Sequence, residues 1–278
     1  MASLSPRRSP IPGFRLTLGF TLFYLGLLVL FPLALLVAKS ASGGWSAFYG
    51  AVTSPRALAS LEFTVLTSLA AALINLVFGF VLAWVLARYD FPGKRVVDAL
   101  VDLPLALPTA VAGVALATVY SDNGWVGARL APLGIHLAFA WPGVVLAMVF
   151  VGLPFLVRTV QPIIEELDPA VEEAAVTLGA SRRETFRRVI LPALVPALRA
   201  GFAAALARAL GEYGSVVFIA GNMPMKTEIS SLLIMTKLDQ YDYAGAASIG
   251  VVMLGLSLVL LVVIHSSRTA SEKLRALA

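Results

Sequence analysis

Arg208 and Glu212 stand four residues apart in the run ARALGEYGSVVFIAGN (207–222), which carries no other charge. On a helix that spacing puts both side chains on one face. Ionisable groups within an apolar segment are rare, and they face a protein interior or a water-filled cavity. Two chemistries fit. The guanidinium can offer charge-assisted hydrogen bonds to an oxyanion moving along the segment. Alternatively, the two charges neutralise each other and fix helix packing. A carboxylate beside the arginine repels a dianion, which weighs towards pairing. Pro108 and Thr109, in the run DLPLALPTAVAG (102–113), join them as candidate pathway or pairing residues.

A second constellation lies in DPAVEEAAVTLGASRRETFRRVILP (168–192). Asp168-Pro169 supplies a cap and a first-turn proline, and Glu172 and Glu173 place negative charge at the positive end of a helix dipole. Gly179 is suited to end that helix in a left-handed conformation. Ser181 and Glu184 form the S-x-x-E pattern of a capping box, which opens a second short helix bearing Arg182, Arg183, Arg187 and Arg188. Pro192 then starts the next apolar run. The pattern predicts a helix, a sharp turn and a helix, an object able to present a short helix to a groove on another protein. An ordinary solvated linker would show the charges without this capping.

Glu173-Ala174-Ala175, Gly179 and Leu191-Pro192 resemble the EAA loop of bacterial ABC importer permeases; Val189 departs from the isoleucine usual two residues before Leu-Pro. The resemblance implies a cytoplasmic loop in which Glu172, Glu173, Ala174, Ala175, Gly179, Leu191 and Pro192 couple the chain to a separate ATPase.

The elements that must position these residues are apolar. Of 278 residues 59% are hydrophobic and 13% charged, and the mean hydropathy is +0.89. Soluble domains carry about 25% charged residues, so this chain lacks the charge to cover a water-facing surface. It has no cysteine, which excludes disulfides, iron–sulfur clusters and thiol catalysis. His136 and His265 are far apart and suggest interfacial side chains rather than a metal site. No G-x-x-x-x-G-K-[ST], H-E-x-x-H or G-x-S-x-G pattern occurs, so a P-loop nucleotide site and the simplest membrane-protease readings fall away.

Six membrane spans are predicted, at 16–38, 63–87, 103–121, 141–157, 200–221 and 243–264, each a largely uncharged apolar run. The first is too long for a signal-peptide core, so it reads as an uncleaved helix. Residues 39–60 read as a polar loop with Trp45, Phe48 and Tyr49 at an interface. The third span holds Pro104 and Pro108 and is expected to be one kinked helix. Fifteen lysines and arginines fall in the N-terminal tail, the loop after span two, the 158–199 region and the C-terminal tail. Five (Lys39, Arg56, Arg129, Lys226, Lys237) fall in the opposite loops. That asymmetry predicts cytoplasmic termini, and it accounts for the pI near 9.7 without nucleic acid.

Further runs narrow the resemblance. Asp102–Gly113, GLPFLVRTVQP (152–162), RALGEYG (208–214), FIAGN (218–222) and Lys226-Thr-Glu228 resemble sulfate/thiosulfate ABC permeases of the CysT type. Molybdate or tungstate permeases share much of this pattern. The resemblance implies an all-α type I ABC importer permease in a bacterial inner membrane. A homologous second permease subunit would pair with it, a dimeric ATPase would bind ATP and Mg, and a periplasmic sulfate/thiosulfate-binding protein would deliver the anion. No cofactor and no catalytic or metal site is expected on this chain. The implied division is a tail, first helix and loop over 1–59, a permease core over 60–265 and a tail over 266–278. A secondary transporter using Glu212 as a proton site, or a structural membrane subunit, are the readings from other classes.

Overall fold

The computed structural model describes the backbone of residues 13–276 and their side chains apart from Arg15 and residues 265–276. The basic tail with Arg7 and Arg8, and the side chains of His265, Arg268, Lys273 and Arg275, lie outside the described residues. The described chain is helical, with no strand. Helix α1 runs from Phe14 to Ala41 through a π turn at Gly26–Leu30, α2 covers Gly44–Thr53, and α3 is Pro55–Arg88. Then come α4 (Lys94–Ala106), α5 (Thr109–Tyr120), α6 (Trp141–Glu165) and α7 (Pro169–Thr177). Helix α8 runs Arg182–Leu210 through a π turn at Phe186–Ile190, followed by α9 (Ser230–Asp239) and α10 (Tyr243–Ala276); short helical turns at Gly127–Leu130, Ala131–Leu133 and Val216–Ile219 lie in the connections.

Among the described residues α1, α3, α6, α8 and the Tyr243–Ile264 part of α10 are long and apolar enough to cross a membrane, and α4 with α5 makes a sixth span if counted together. Between apolar helices in lipid the hydrophobic effect contributes little, so small residues that allow close packing decide contact. Helix α3 provides them: Ala71, Ala72, Gly79 and Ala83 are buried along one face. Against that face pack α6 and α8. The three helices enclose one cluster around Leu86, Leu156, Val160, Ile190 and Leu194, and α3 and α6 meet the end of α8 in another around Val144, Met148, Ala209 and Ile219. Asn75, fully enclosed on α3, donates 3.1 Å to the Val149 carbonyl of α6. Helix α1 packs on the bundle mainly through its second half, against α10.

Several expectations need correction. The third span is not one kinked helix: α4 and α5 meet at 115°. The break lies at Leu107-Pro108, both extended (ψ 138° and 131°), because a residue preceding proline is pushed out of the α region. Pro104, by contrast, sits within α4. The fifth span is not 200–221; it starts at Arg182 and ends at Leu210, with Gly211 at its C-cap. The second short helix after Gly179 is therefore the foot of a span. The fourth span continues eight residues past Val157, to Glu165. Residues 39–60 are mostly helical rather than a loop, since Ser54 caps α3 through the Ala57 amide and Pro55 occupies its first turn. The last helix continues to Ala276 where a tail was expected.

Candidate functional site

Two regions hold the candidate residues. The first is at the end of the bundle where α6 descends into α7, called here the lower end. Asp168 accepts a hydrogen bond from the Ala170 amide at 2.9 Å and opens α7. Glu172, in its first turn, meets Arg88 at the foot of α3 at 2.5 Å, and that guanidinium lies over the Trp84 ring, 5.3 Å from its centroid. Glu173 and Ala174 are exposed and Ala175 half-buried. Val171, Val176 and Leu178 are exposed too, the last at 88%. An amphipathic helix thus holds its base by an ion pair and offers apolar side chains outward.

Gly179 has φ +86°, where a side chain would be strained. Ser181 and Glu184 make the expected capping box. The chain then enters α8, whose π turn precedes Leu191 and Pro192; a widened turn suits a site where proline cannot donate to the preceding turn. A groove of about 660 Å³ between α7 and the foot of α8 is lined by Trp84, Glu172, Glu173, Arg182 and Phe186 among others.

The second region is at the other end of α8. Arg208 is in its last turn and Glu212 lies just beyond it, so the two share an ion pair rather than a helix interior: Nη1 to Oε2 is 2.6 Å. The other carboxylate oxygen, Oε1, accepts from the Ser215 amide and hydroxyl, both at 2.8 Å. Glu212 is 2% exposed, while the Arg208 side chain keeps 29%. The turn so fixed, Gly211–Ser215, seats on the start of α5. A Cβ on Gly214 would overlap the Thr109 hydroxyl, and one on Gly113 would overlap the Ser215 carbonyl. Thr109 is therefore brought to the Glu212 turn, and Pro108 stands exposed at the break beside it.

Two charged networks were not anticipated from the sequence. Arg158, counted above among loop charges, sits inside α6. It donates Nε and Nη2 to Asp102 at 2.8 and 2.7 Å and Nη1 to Asp98 at 2.7 Å. Arg56, at the start of α3, forms a fork with the 2%-exposed Glu228, at 2.7 and 2.6 Å. The available signal was a pair of aspartates one turn apart, before a lone arginine in an apolar run. His136 meets Asp122 at 2.8 Å, both half-exposed.

Comparison with known proteins extends this geometry. Residues 75–273 match the family model described as "Binding-protein-dependent transport system inner membrane component". The chain is 48% identical over 266 residues to the "Sulfate transport system permease protein CysT" of Salmonella typhimurium, covering 96% of each chain. It is 53% identical over 254 residues to the protein of that name in Synechococcus elongatus, covering 91% of each. Among solved structures it resembles a chain of the bacterial alginate ABC transporter crystallised with an alginate pentasaccharide-bound periplasmic protein, at TM-score 0.75 and 19% identity. That alignment covers 92% of this chain and 94% of the other, and the likeness is one of fold.

Proposed function

This chain belongs to the binding-protein-dependent transport system inner membrane component family, a multi-pass membrane group, and from that premise we propose that it is the permease subunit of an ATP-driven sulfate importer. The observation that carries the substrate is 47–53% identity, over 91–96% of the chain, to sulfate permeases of two enterobacteria and a cyanobacterium. Thiosulfate, a tetrahedral dianion of similar size, is included in the proposal. Molybdate and tungstate remain as competitors in the test.

In this reading α7 docks on a separate ATPase that binds ATP and Mg, and this chain has no nucleotide site of its own. A second, homologous permease subunit completes the pathway and a periplasmic binding protein delivers the anion. The lower end is cytoplasmic, in a bacterial inner membrane, with both termini on that side. Closure of the ATPase pair moves α7 as a rigid body, and that shift alternates access to the pathway near Arg208, Thr109 and Pro108. A proton-coupled carrier is less well supported, because both oxygens of Glu212 are already engaged by donors of this chain.

The test is uptake of labelled sulfate by cells lacking their own sulfate importer and supplied with this chain, its partner permease, its ATPase and its binding protein. ATP-dependent uptake, competed by thiosulfate, is expected. Uptake that survives removal of the ATPase, or that follows molybdate instead, would overturn the proposal.

A further inference from the structure

Helix α4 is weakly embedded. Only Val101 and Pro104 are buried along it, while Val96 and Leu100 are more than half exposed. Its packing partner is α6, and the polar part of that contact is concentrated on one side chain. Arg158 makes four bonds to α4: two to the Asp102 carboxylate, one to the Asp98 carboxylate and one, at 2.9 Å, to the Asp98 carbonyl. A fifth, at 3.0 Å, ties it to Gln161 on its own helix. Asp98 and Asp102 stand one helical turn apart, so the guanidinium holds α4 at two heights. Apolar contact alone would let the helices slide or roll, whereas a bidentate guanidinium fixes both distance and orientation.

The position of this fork gives it a use. Below Arg158, α6 passes within three residues, Glu166–Asp168, into α7. Above the fork, α4 is separated by two residues from α5, whose first residue seats against Gly214 in the turn held by Glu212. We propose that Arg158 is a positioning residue for transport: its fork on Asp98 and Asp102 carries displacement of α7 and the foot of α6 into the bent α4–α5 segment, and so to the Thr109–Gly214 seam. This rests on the importer reading above. The Arg88–Glu172 pair is the parallel connection, from α7 to α3.

The test uses the complete complex in vesicles, with sulfate uptake and ATP hydrolysis measured on the same preparation. Arg158→Lys keeps the charge but loses the planar fork, and Asp102→Asn weakens it from the other side. Both complexes should retain their ATPase and hydrolyse ATP, while sulfate carried per ATP falls about tenfold, a size within reach of one coupling contact. The chain has no cysteine, so Arg158→Cys with Asp102→Cys gives a pair that a short bis-methanethiosulfonate reagent can bridge. Bridging should restore coupled uptake and reduction should abolish it again. Normal sulfate per ATP in Arg158→Lys would overturn the proposal. So would a bridged pair that stays uncoupled, or ATPase subunits lost in proportion to uptake, which marks a merely structural role. A wild-type complex that hydrolyses ATP yet imports no sulfate would instead remove the importer reading, and the fork's role with it.

Discussion

Glu212 takes three donors at once, and this decides what Arg208 is free to do. One guanidinium nitrogen is committed to the carboxylate, and the Arg208 side chain stays partly exposed. Arg208→Gln leaves an enclosed carboxylate without its cation, at a cost of about 2–4 kcal/mol. Lower membrane levels are expected on immunoblots. Arg208→Gln with Glu212→Gln should recover those levels. Uptake separates the two roles: recovered transport in the double variant means pairing, and a raised half-saturation concentration at normal levels means anion contact. The sequence showed that these residues belong together. It did not show that Glu212 lies past the helix end, because Ser215, which supplies two of its three donors, carries no visible partner signal. The pairs at Arg158 and Arg56 join residues more than fifty positions apart, where local periodicity is silent.

At the scale of elements, the caps were legible and the breaks were not. Asp168, Gly179 and the Ser181–Glu184 box act within a few residues, so their types alone specify the turn. Gly179→Val puts a β-branched side chain at φ +86° and should misdirect the foot of α8. The protein is expected in the membrane at normal amount, with its ATPase missing on co-purification; retained ATPase and normal uptake would refute the docking role. Two prolines in one apolar run gave no way to tell which would break it. Leu107 extends whereas Leu103 stays helical, a choice set by what α4 and α5 each pack against. The charges at Arg187, Arg188 and Arg199 similarly disguised the foot of α8 as a loop. At the α5 seam, Gly113→Val collides with the Ser215 backbone and should cut uptake strongly while α7 still binds the ATPase, measured on one preparation.

For the whole molecule, the proposed membrane orientation rests on charge. Of the fifteen basic residues assigned to one side, Arg158 and Arg199 lie well within α6 and α8, and the bias survives their removal, at thirteen against five. A cytoplasmic reporter fused after Ala278 should be active and a periplasmic one silent; the reverse would invert the proposed topology. The likeness at TM-score 0.75 with only 19% identity shows that helix order and packing persist when most side chains differ.

Continuity of α8 has a mechanical consequence. A helix of 29 residues is roughly 43 Å long, so each degree of tilt about its foot carries its far end by roughly 0.8 Å. The seam at Gly113 and Gly214 has no clearance, with main chain against side chain or main chain. A tilt of a few degrees, too slight to disturb the caps around Gly179, is therefore enough to part that seam by the width of a water molecule. Tilted in this way, α8 would act as a lever whose short arm is the capped turn and whose long arm ends at its least forgiving contact.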